Sequence, residues 1–599
     1  MRKKRKILTL ATVLWAGFTA VTALAMLSIP LGAEPGAGLL RHSIYALRYG
    51  GAMGLFRAAV VCLVALAASL LWAWSLPKAG KNRWGALLSA LFFAWNTVIW
   101  LSPRSPRALD GLLLLPGVRP LEMLLFYGQL VGNDYALVMT ACLWLNSRKV
   151  GREAGRGSRW PIYAGVILLG WLPILILRSP GSLYVDTAIQ ILMYQGNYHF
   201  HASMPVLLTV TYGLLFDLGR WLAGDNGGIL MCMLAQLVLL SYAMTMACRE
   251  VELATEKWKN GLLLSLFFGL VPVYPSMAQG IIKDAIHSAF YLLFVICFFR
   301  AVRGGQKKEL WRLLLLGALV GATRKGGIYL AVLSLALLSM HRKNWRRQLL
   351  LVAAVLAAGG GIFNQFVYPA LGIDRPWQRE NYSFFYPITA YYCQMHRQEM
   401  TPEEIQAVSD VLDFETACTG YSTTMVDDVK NTFHANNQSQ VRTFLIQNGR
   451  FFGKHPLTCL EAVVYSKNLY YTPFSLGGQT MYPTQTQFQG IADGVWSDFS
   501  FFLPEQLRQA GEETLEAIQS FLPVRLLCGP GLYSWLCVIL LVAAAQDHRK
   551  QIRWALLPVT LLTAGLLLSH INGAVRYAMP EMIVVPFLWA LYPAGKEAK

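Results

Sequence analysis

A short polar segment between two apolar runs carries the side chains best suited to chemistry. Within residues 178–205 stand one carboxylate, Asp186, two imidazoles, His199 and His201, and the amide of Gln190. A carboxylate beside a bilayer is costly unless it is paired or hydrated, so an acid in such a place predicts a function. An acid that takes a proton from an attacking hydroxyl acts as a general base. The alternative is a helix cap, because Asp is a favoured N-cap residue and an apolar helical run follows Asp186.

One cation, Arg178, stands in the same segment, and others recur in further polar breaks between apolar runs, where they are joined to an acid, a glycine pair or a tyrosine. These residues are Arg178, Lys283, Asp284, Arg324, Lys325, Gly326, Gly327, Arg576 and Tyr577. Arginine, lysine and free backbone amides at a broken helix can hold an anion such as a phosphate. The alternative for each is structural: an ion pair, a lysine that snorkels from a helix end, or an interfacial Arg–Tyr anchor.

Composition predicts the class of protein that must position these residues. Of 599 residues, 55% are hydrophobic and 14% are charged, and the mean hydropathy is +0.42. Apolar runs of membrane-spanning length recur, so we predict an all-α polytopic membrane protein and exclude a soluble one. The formal charge of +19 falls in clusters between apolar runs, which is typical of cytoplasmic loops. We therefore expect a lipid bilayer, and no nucleic acid, as a partner.

The apolar runs predict about fourteen transmembrane helices, with both termini in the cytoplasm. When the N-terminus is placed in the cytoplasm and each span is counted as one crossing, the basic clusters lie inside. Residues 369–525, where Asp and Glu outnumber Lys and Arg, then lie outside. The run at 205–222 ends in Asp217 and Arg220, and we predict it as a helix at the external interface. The predicted spans are 7–28, 53–76, 84–101, 121–145, 161–177, 228–247, 261–279, 285–299, 310–323, 326–340, 348–368, 526–545, 552–569 and 576–592.

The chain divides on this basis into four parts. They are an N-terminal transmembrane module at 1–160, a transmembrane core at 161–368 with an external catalytic loop at 178–227, a mixed extracytoplasmic domain at 369–525, and C-terminal transmembrane helices with a short cytoplasmic tail at 526–599. The cysteines form no metal-binding pattern with histidine. A disulfide among Cys393, Cys418 and Cys459 is allowed in an external domain, and the sequence leaves its pairing open.

A series of short motifs, in order, resembles the GT-C glycosyltransferases of the protein O-mannosyltransferase and aminoarabinose-transferase type. The chain resembles more closely a group of bacterial multispanning proteins related to them. The motifs are Pro180-Gly181, Asp186-Thr187, Gln190, Gly196, His199, His201 and Pro205, then Lys283-Asp284, Arg324-Lys325-Gly326-Gly327, and Arg576-Tyr577 with Pro580. His201 and Pro205 are separated here, whereas the family often has an adjacent His-Pro element. The similarity covers residues 161–592 and leaves 1–145 outside it.

The resemblance implies a GT-C fold and an inverting transfer of a sugar from a polyprenyl-phosphate donor to an extracytoplasmic acceptor. It implies that Asp186 is the general base and that the other site residues bind the lipid phosphate or the substrate. Those residues are Arg178, Gln190, His199, His201, Lys283, Asp284, Arg324, Lys325, Arg576 and Tyr577. No metal ligand and no cofactor are assigned, and dependence on a divalent metal is left open. The location implied is the bacterial plasma membrane.

Two other functions are compatible with the sequence. A polymerase or ligase acting on undecaprenyl-linked glycans also uses external arginines and a large late loop; there Arg324 and Arg576 should matter and Asp186 should not. A multispanning secondary transporter would place charged residues at mid-membrane in discontinuous helices and would have two related halves. The sequence shows no such halves, and it offers one broken helical pair, at Arg324.

Overall fold

The computed structural model shows a helical protein. About 82% of the residues that it describes are helical, which confirms the all-α class. It describes residues 12–21, 44, 63, 66–70, 83–101, 120–148, 159–375, 378–423, 425–473, 500–547, 549–569 and 571–595. Most of the predicted spans at 7–28 and 53–76 therefore lies outside the described residues.

Apolar runs form most of the helices in the first part of the chain, and polar, Gly or Pro-containing turns separate them. The helices are α1 (Thr12–Val21), α2 (Arg83–Leu101), α3 (Pro120–Ser147), α4 (Trp160–Leu177), α5 (Val185–Tyr194), α6 (Val206–Thr255), α7 (Trp258–Leu270), α8 (Val273–Gln279), α9 (Lys283–Val302), α10 (Lys308–Thr323), α11 (Gly327–His341) and α12 (Arg346–Ile362). Helix α6 is kinked at Ala223 and Gly224, where Gly224 has a φ of 68° that favours glycine. The run predicted as an interfacial helix forms the first arm of α6.

The described helices are compatible with membrane insertion. Four are long and apolar enough to cross a bilayer, and two bent pairs raise the number to six if each pair is one span. The four are Trp160–Leu177, Val206–Thr255, Lys283–Val302 and Lys343–Ala370, and the pairs are Trp258–Leu270 with Val273–Gln279 and Leu522–Cys528 with Pro530–Gln546. The described residues do not support the fourteen spans predicted from the sequence.

Helix length explains part of the difference. Helices α10 and α11 have 16 and 15 residues, and the last helix of the chain, Val575–Leu591, has 17. At about 1.5 Å per residue they are shorter than a hydrocarbon core of about 30 Å. An apolar run in the sequence does not reveal the turn that ends a helix inside it, and for these three helices of the described residues the prediction of a span was wrong for that reason.

Two distant turns meet in a short parallel strand pair that positions the site. Strand β1 (Ser182–Leu183) pairs with β2 (Gly280–Ile281). The amide of the fully buried Gln236 secures β2, because its Nε2 donates to the carbonyl oxygen of Gly280 at 2.7 Å and its Oε1 accepts from the Ile282 backbone at 3.3 Å. The helices that start directly after β1 and β2 are thereby brought side by side.

Residues 378–473 contain a second buried core of their own. Its helices are α13 (Phe385–His396), α14 (Pro402–Ser409), α15 (Phe414–Thr419), α16 (Asp427–Asn431), α17 (Gln438–Lys454) and α18 (Pro456–Tyr465). The prediction of a mixed domain was wrong for the described residues here, which form helices and turns around aromatic side chains such as Tyr386 and Phe444, with one isolated bridge at Met425. We call α13–α18 and their connecting turns the small helical domain.

The cysteines of the small helical domain are buried free thiols. The thiols of Cys393 and Cys418 are in hydrogen-bonding contact. Neither has such a contact with Cys459, whose thiol has a pKa raised by burial alone. Because their thiols are in contact, Cys393 and Cys418 are the pair that we expect to form a disulfide in an oxidising compartment.

The C-terminal helices close the main core and join it to the N-terminal part. They are α19 (Glu505–Ser520), α20 (Leu522–Cys528), α21 (Pro530–Gln546), α22 (Lys550–Ala555), α23 (Leu557–Gly565) and α24 (Val575–Leu591). Phe93 of α2 stacks on Trp535 of α21 with ring centroids 3.9 Å apart. After α3, Arg148 donates to the carbonyl oxygen of Trp589 at 3.1 Å. The predicted N-terminal module thus packs on the last helices of the chain.

Glycine permits a close helix contact in the main core. A Cβ atom added to Gly170 of α4 would lie 2.5 Å from the carbonyl oxygen of Gly269 in α7. Small residues at such crossings allow two backbones to approach, which is how helices often associate in membranes. Gly165 of the same helix has nothing within 4 Å of its would-be Cβ.

We predict that Gly170→Ala separates α4 from α7 and lowers stability by about 1–3 kcal/mol, the usual cost of overpacking. Thermal unfolding of the purified protein in detergent measures the effect. Gly165→Ala is the matched control, and it should melt at or above the temperature of the unsubstituted protein because alanine favours helix. Equal melting of the two variants would show that the close contact is not what holds these helices together.

Candidate functional site

The carboxylate of Asp186 lies between two cations from distant parts of the chain. Its Oδ2 is 2.9 Å from Lys283 Nζ and 3.1 Å from Arg576 Nη1. The three residues stand in the first turns of α5, α9 and α24. The N-cap position of α5 is Tyr184 rather than Asp186. The helix-cap interpretation of this acid is therefore wrong, and its partners are cations.

A second carboxylate and a third cation lie beside this group. Arg324 Nη1 is 3.4 Å from Asp284 Oδ1, and it also donates to the carbonyl oxygen of Tyr577 at 3.4 Å. Asp284 is 1% exposed, so water does not compensate its negative charge. Arg324 and the positive end of the α9 dipole do so instead. Arg324 reaches the site because α10 ends at Thr323, one residue before it.

Aromatic rings hold both guanidinium groups in place. The carbon of the Arg324 guanidinium lies 5.0 Å from the centroid of the Tyr577 ring, and that of Arg576 lies 4.9 Å from the same ring. Arg576 also faces Tyr184 at 5.7 Å and donates to the Tyr577 hydroxyl at 3.2 Å. Stacking on an aromatic face fixes an arginine while its remaining N–H groups stay available.

The charges of this centre favour an additional anion. We call Asp186, Lys283, Asp284, Arg324 and Arg576 the charged centre; it sets three cations against two carboxylates. Helices α5, α9 and α24 direct the positive ends of their dipoles toward it. Burial alone would raise the pKa of Asp186, but Lys283 and Arg576 hold that pKa well below its usual range. The carboxylate is therefore ionised at neutral pH.

Three more of the predicted residues lie at the rim of the charged centre. The exposed side chain of His199 is in hydrogen-bonding contact with the Asp374 carboxylate. His201 is buried, and its segment pairs with the backbone of Asp374. Burial lowers the pKa of His201, and the neighbouring His199 lowers it further, so its imidazole is neutral at pH 7. Lys325 donates to the side-chain oxygen of Asn381 at 2.9 Å. These contacts connect the centre to the chain that leads into the small helical domain.

Two predicted residues have structural partners away from the charged centre. Arg178 forms two hydrogen bonds of 2.8 Å to Glu512 of α19, and its side chain is only 5% exposed. Gln190 is fully buried and donates to the hydroxyl of Thr209 at 3.1 Å. The structure thus gathers Asp186, Lys283, Asp284, Arg324, Arg576 and Tyr577, and it does not bring Arg178 or Gln190 to them.

Sequence reasoning missed two residues that act on the centre. Gln236 fixes the strand pair from the middle of an apolar helix, and a lone buried amide in such a run is the signal that could have found it. Lys430 of α16 lies close enough to Asp186 to lower the pKa of that carboxyl together with the nearer cations. Nothing in the sequence around Lys430 indicates this, because a lysine three residues after Asp427 is typical of an ordinary solvated ion pair on a helix, whereas the structure buries Lys430.

A polar groove opens in the small helical domain, near the rim. Its cavity volume is about 620 Å³, and it is lined by Gln378, Arg379, Phe433, Asn436, Asn437 and Gln438, with Ala435. The ring of Phe433 stacks on Tyr382 at 5.9 Å. The positive charge of Arg379 contributes to lowering the pKa of His201, so this wall of the groove is near the rim histidines. Amides next to an aromatic ring suit a polyhydroxylated ligand.

Comparison with known proteins gives one match. A family of unknown function, DUF6020, matches residues 192–598. The matched segment includes Lys283, Arg324 and Arg576 and begins shortly after Asp186. Searches of curated proteins and of solved structures found no match.

We predict that Arg178 stabilises the fold through Glu512. Removing one partner leaves a buried charge without its hydrogen bonds, so Arg178→Gln and Glu512→Gln should each cost about 1–3 kcal/mol. The double variant should melt no lower than the worse single one, because the two substitutions remove the same interaction. Glu513→Gln is the control, because Glu513 is an exposed carboxylate of the same helix that accepts a hydrogen bond only from the exposed Gln509, and it should leave the melting temperature unchanged. Fully additive losses would show that Arg178 and Glu512 act independently.

Proposed function

We propose that this chain, which belongs to the DUF6020 family, is a GT-C-type membrane glycosyltransferase. In this proposal it moves a sugar from a polyprenyl-phosphate donor to an extracytoplasmic acceptor, with inversion and with Asp186 as the general base. The observation that carries the proposal is the Asp186 carboxylate held between Lys283 and Arg576, with Arg324 beside them. A lipid-phosphate reaction needs these groups together: cations for the phosphate and one acid for the proton.

The position of the charged centre also supports a lipid substrate. Its residues stand at the ends of helices α9, α10 and α24, and the adjoining helix α11 exposes the apolar side chains of Tyr329 and Leu333. A polyprenyl chain can lie along the helices while its phosphate reaches the loops. We place this end of the protein on the outer face of the bacterial plasma membrane, with both termini in the cytoplasm.

The first step of the proposed reaction is an exchange of ion-pair partners. The donor phosphate binds to Lys283, Arg576 and Arg324, and Lys283 and Arg576 release the Asp186 carboxylate as they take up phosphate oxygens. Asp186 in the resting centre is a weak base because its pKa is low. Losing its cations to a phosphate raises that pKa, so the base becomes stronger only when the donor is bound.

The second step is the transfer itself. Asp186 accepts the proton of an acceptor hydroxyl as the hydroxyl oxygen forms a bond to the anomeric carbon. The bond from that carbon to the phosphate oxygen breaks, and its electron pair leaves with the polyprenyl phosphate. Lys283, Arg324 and Arg576 stabilise the charge that develops on the phosphate. Attack on the face opposite the phosphate inverts the anomeric configuration.

The polar groove suits the acceptor. Its amides and the ring of Phe433 could bind sugar hydroxyls and a sugar face, and Arg379 connects it to the rim beside His201. An acceptor held there extends toward the charged centre from the side of the small helical domain. Neither a transporter nor a lipid-binding protein without catalysis would need a base and a second substrate groove on the same side.

We predict that Asp186→Asn lowers turnover by about 10²–10⁴-fold, the usual contribution of a general base. Donor binding should become tighter, because Lys283 and Arg576 no longer have a competing carboxylate. The measurement is release of free polyprenyl phosphate from a panel of polyprenyl-phosphate hexoses in proteoliposomes, with donor affinity measured separately.

Asp410→Asn in the small helical domain is the control for Asp186→Asn. Asp410 accepts a hydrogen bond from Gln406, far from any role proposed here, so turnover and donor affinity should stay unchanged. Full activity of the folded Asp186→Asn variant, with loss of activity in Arg324→Gln and Arg576→Gln, would reject the general base. That result would support the polymerase or ligase alternative.

The exchange of partners also predicts two different pH profiles. A carboxylate must be ionised to act as a base, so activity falls as the pH drops through its pKa. The profile of kcat/KM reports the free enzyme, in which the pKa of Asp186 is held low, and the profile of kcat reports the donor complex. The acidic limb of kcat should therefore lie about 1–3 pH units above that of kcat/KM. Coincident limbs would mean that the cations remain on Asp186 when the donor binds.

A further inference from the structure

A second cluster of chemically active side chains lies in the small helical domain, in residues that the proposed reaction does not use. His396 ends α13, Glu399 follows one turn later, and His455 stands between α17 and α18. One nitrogen of each histidine and a carboxylate oxygen of Glu399 all lie within 4.8 Å of one another. Two imidazoles and a carboxylate are a donor set that zinc takes in proteins.

The separations between these atoms fit a single ion. His396 Nδ1 is 3.5 Å from Glu399 Oε1, and His455 Nε2 is 3.2 Å from Glu399 Oε2. Tetrahedral zinc with bonds of about 2.0–2.2 Å places neighbouring donor atoms about 3.3 Å apart. The carboxylate faces both histidines, so an ion between the three residues would reach each of them.

The hydrogen bonds around His396 leave the required nitrogen open. His396 Nε2 lies 3.0 Å from the hydroxyl oxygen of Thr458. When Nε2 donates its proton to that oxygen, Nδ1 carries the lone pair, and among the described residues this buried Nδ1 has no hydrogen-bond partner. A hydrogen bond from the second ring nitrogen is the usual way in which proteins orient a metal-binding histidine.

The neighbouring cation does not oppose a bound metal strongly. Lys454 directs its Nζ toward the carbonyl oxygen of Glu399 at 3.2 Å and toward the Glu404 carboxylate at 3.4 Å. Its charge is therefore compensated, and its bond to the Glu399 backbone holds that residue near the histidines. The side chain of Glu399 is 57% exposed, which gives an ion from solvent a route to the site.

The two imidazole rings must turn slightly to bind one ion. They are stacked with centroids 3.8 Å apart and planes 18° from parallel. In that arrangement an ion between the nitrogens lies outside both ring planes, so each ring rotates about its outer side-chain bond on binding. That torsion is soft in histidine.

We propose that His396, Glu399 and His455 bind one Zn²⁺ ion that joins the end of α13 to the junction of α17 and α18. Water completes the tetrahedral coordination. The ion stabilises the small helical domain by linking segments that are far apart in sequence, and it takes no part in the sugar transfer proposed above. The site therefore stands or falls independently of that activity.

The test uses the tag-free full-length protein in detergent, stripped with a chelator and then given Zn²⁺ alone. Elemental analysis after desalting should find about one Zn²⁺ per chain, with a higher melting temperature, and Co²⁺ should give the visible absorption of tetrahedral coordination. Glu399→Gln should weaken zinc binding at least about tenfold and abolish the cobalt spectrum. His396→Phe should do the same while keeping an aromatic ring in the stack.

Glu415→Gln is the matched control, since Glu415 is an exposed carboxylate of the same domain that pairs with Arg397. It should bind zinc like the unsubstituted protein. Failure of the unsubstituted protein to bind Zn²⁺, or undiminished binding by Glu399→Gln, would overturn the proposal. In the first case the cluster is an ion-pair group that joins the helices without a metal.

Discussion

Loops from distant parts of the chain meet because Ser182–Leu183 pairs in parallel with Gly280–Ile281. The pairing is only two residues long, and a strand pair of that length is not stable without support. Support comes from Gln236, which supplies both a donor and an acceptor to the second strand and its exit. In an apolar core that amide must satisfy its hydrogen-bonding groups locally, so it holds the strand firmly. Asp186, Lys283 and Asp284 take their positions from this junction, because α5 and α9 begin directly after its strands.

The charges themselves impose a second constraint. Asp284 is almost completely buried, and it is tolerable only because Arg324 lies beside it and the start of a helix lies beneath it. Arg324 must therefore be where it is for stability as well as for any ligand. The tyrosine ring shared by Arg324 and Arg576 couples the two arginines, so a displacement of one affects the other. The same two arginines therefore stabilise the fold and are the residues that we propose to bind the donor phosphate.

The sequence predicts which side chains meet at the site better than it predicts the architecture around them. Lys283, Arg324 and Arg576 were predicted as one group because each stands in a polar break between apolar runs, and the structure brings them together. Arg178 was grouped with them by the same criterion, but an arginine in a loop carries no sign of whether its partner is a ligand or Glu512. Among the described residues, short helices such as α10 and α11 were predicted as spans because hydropathy depends only on apolar composition. Where a helix ends depends on packing as well. Contacts such as those of Gln236 join residues far apart in the chain, which a local pattern cannot reveal.

The resting pair between Asp186 and its two cations has a consequence for selectivity. A carboxylate fixed to the chain competes with every approaching anion at a high effective concentration, which for short flexible tethers is in the millimolar range. A free chloride or acetate ion can replace it on one cation, but such an ion leaves the other cation without a partner. A phosphate group presents several oxygens and can engage both cations at once. The Asp186 carboxylate would thus keep common monovalent anions out of the charged centre by competition, with no need for a narrow entrance.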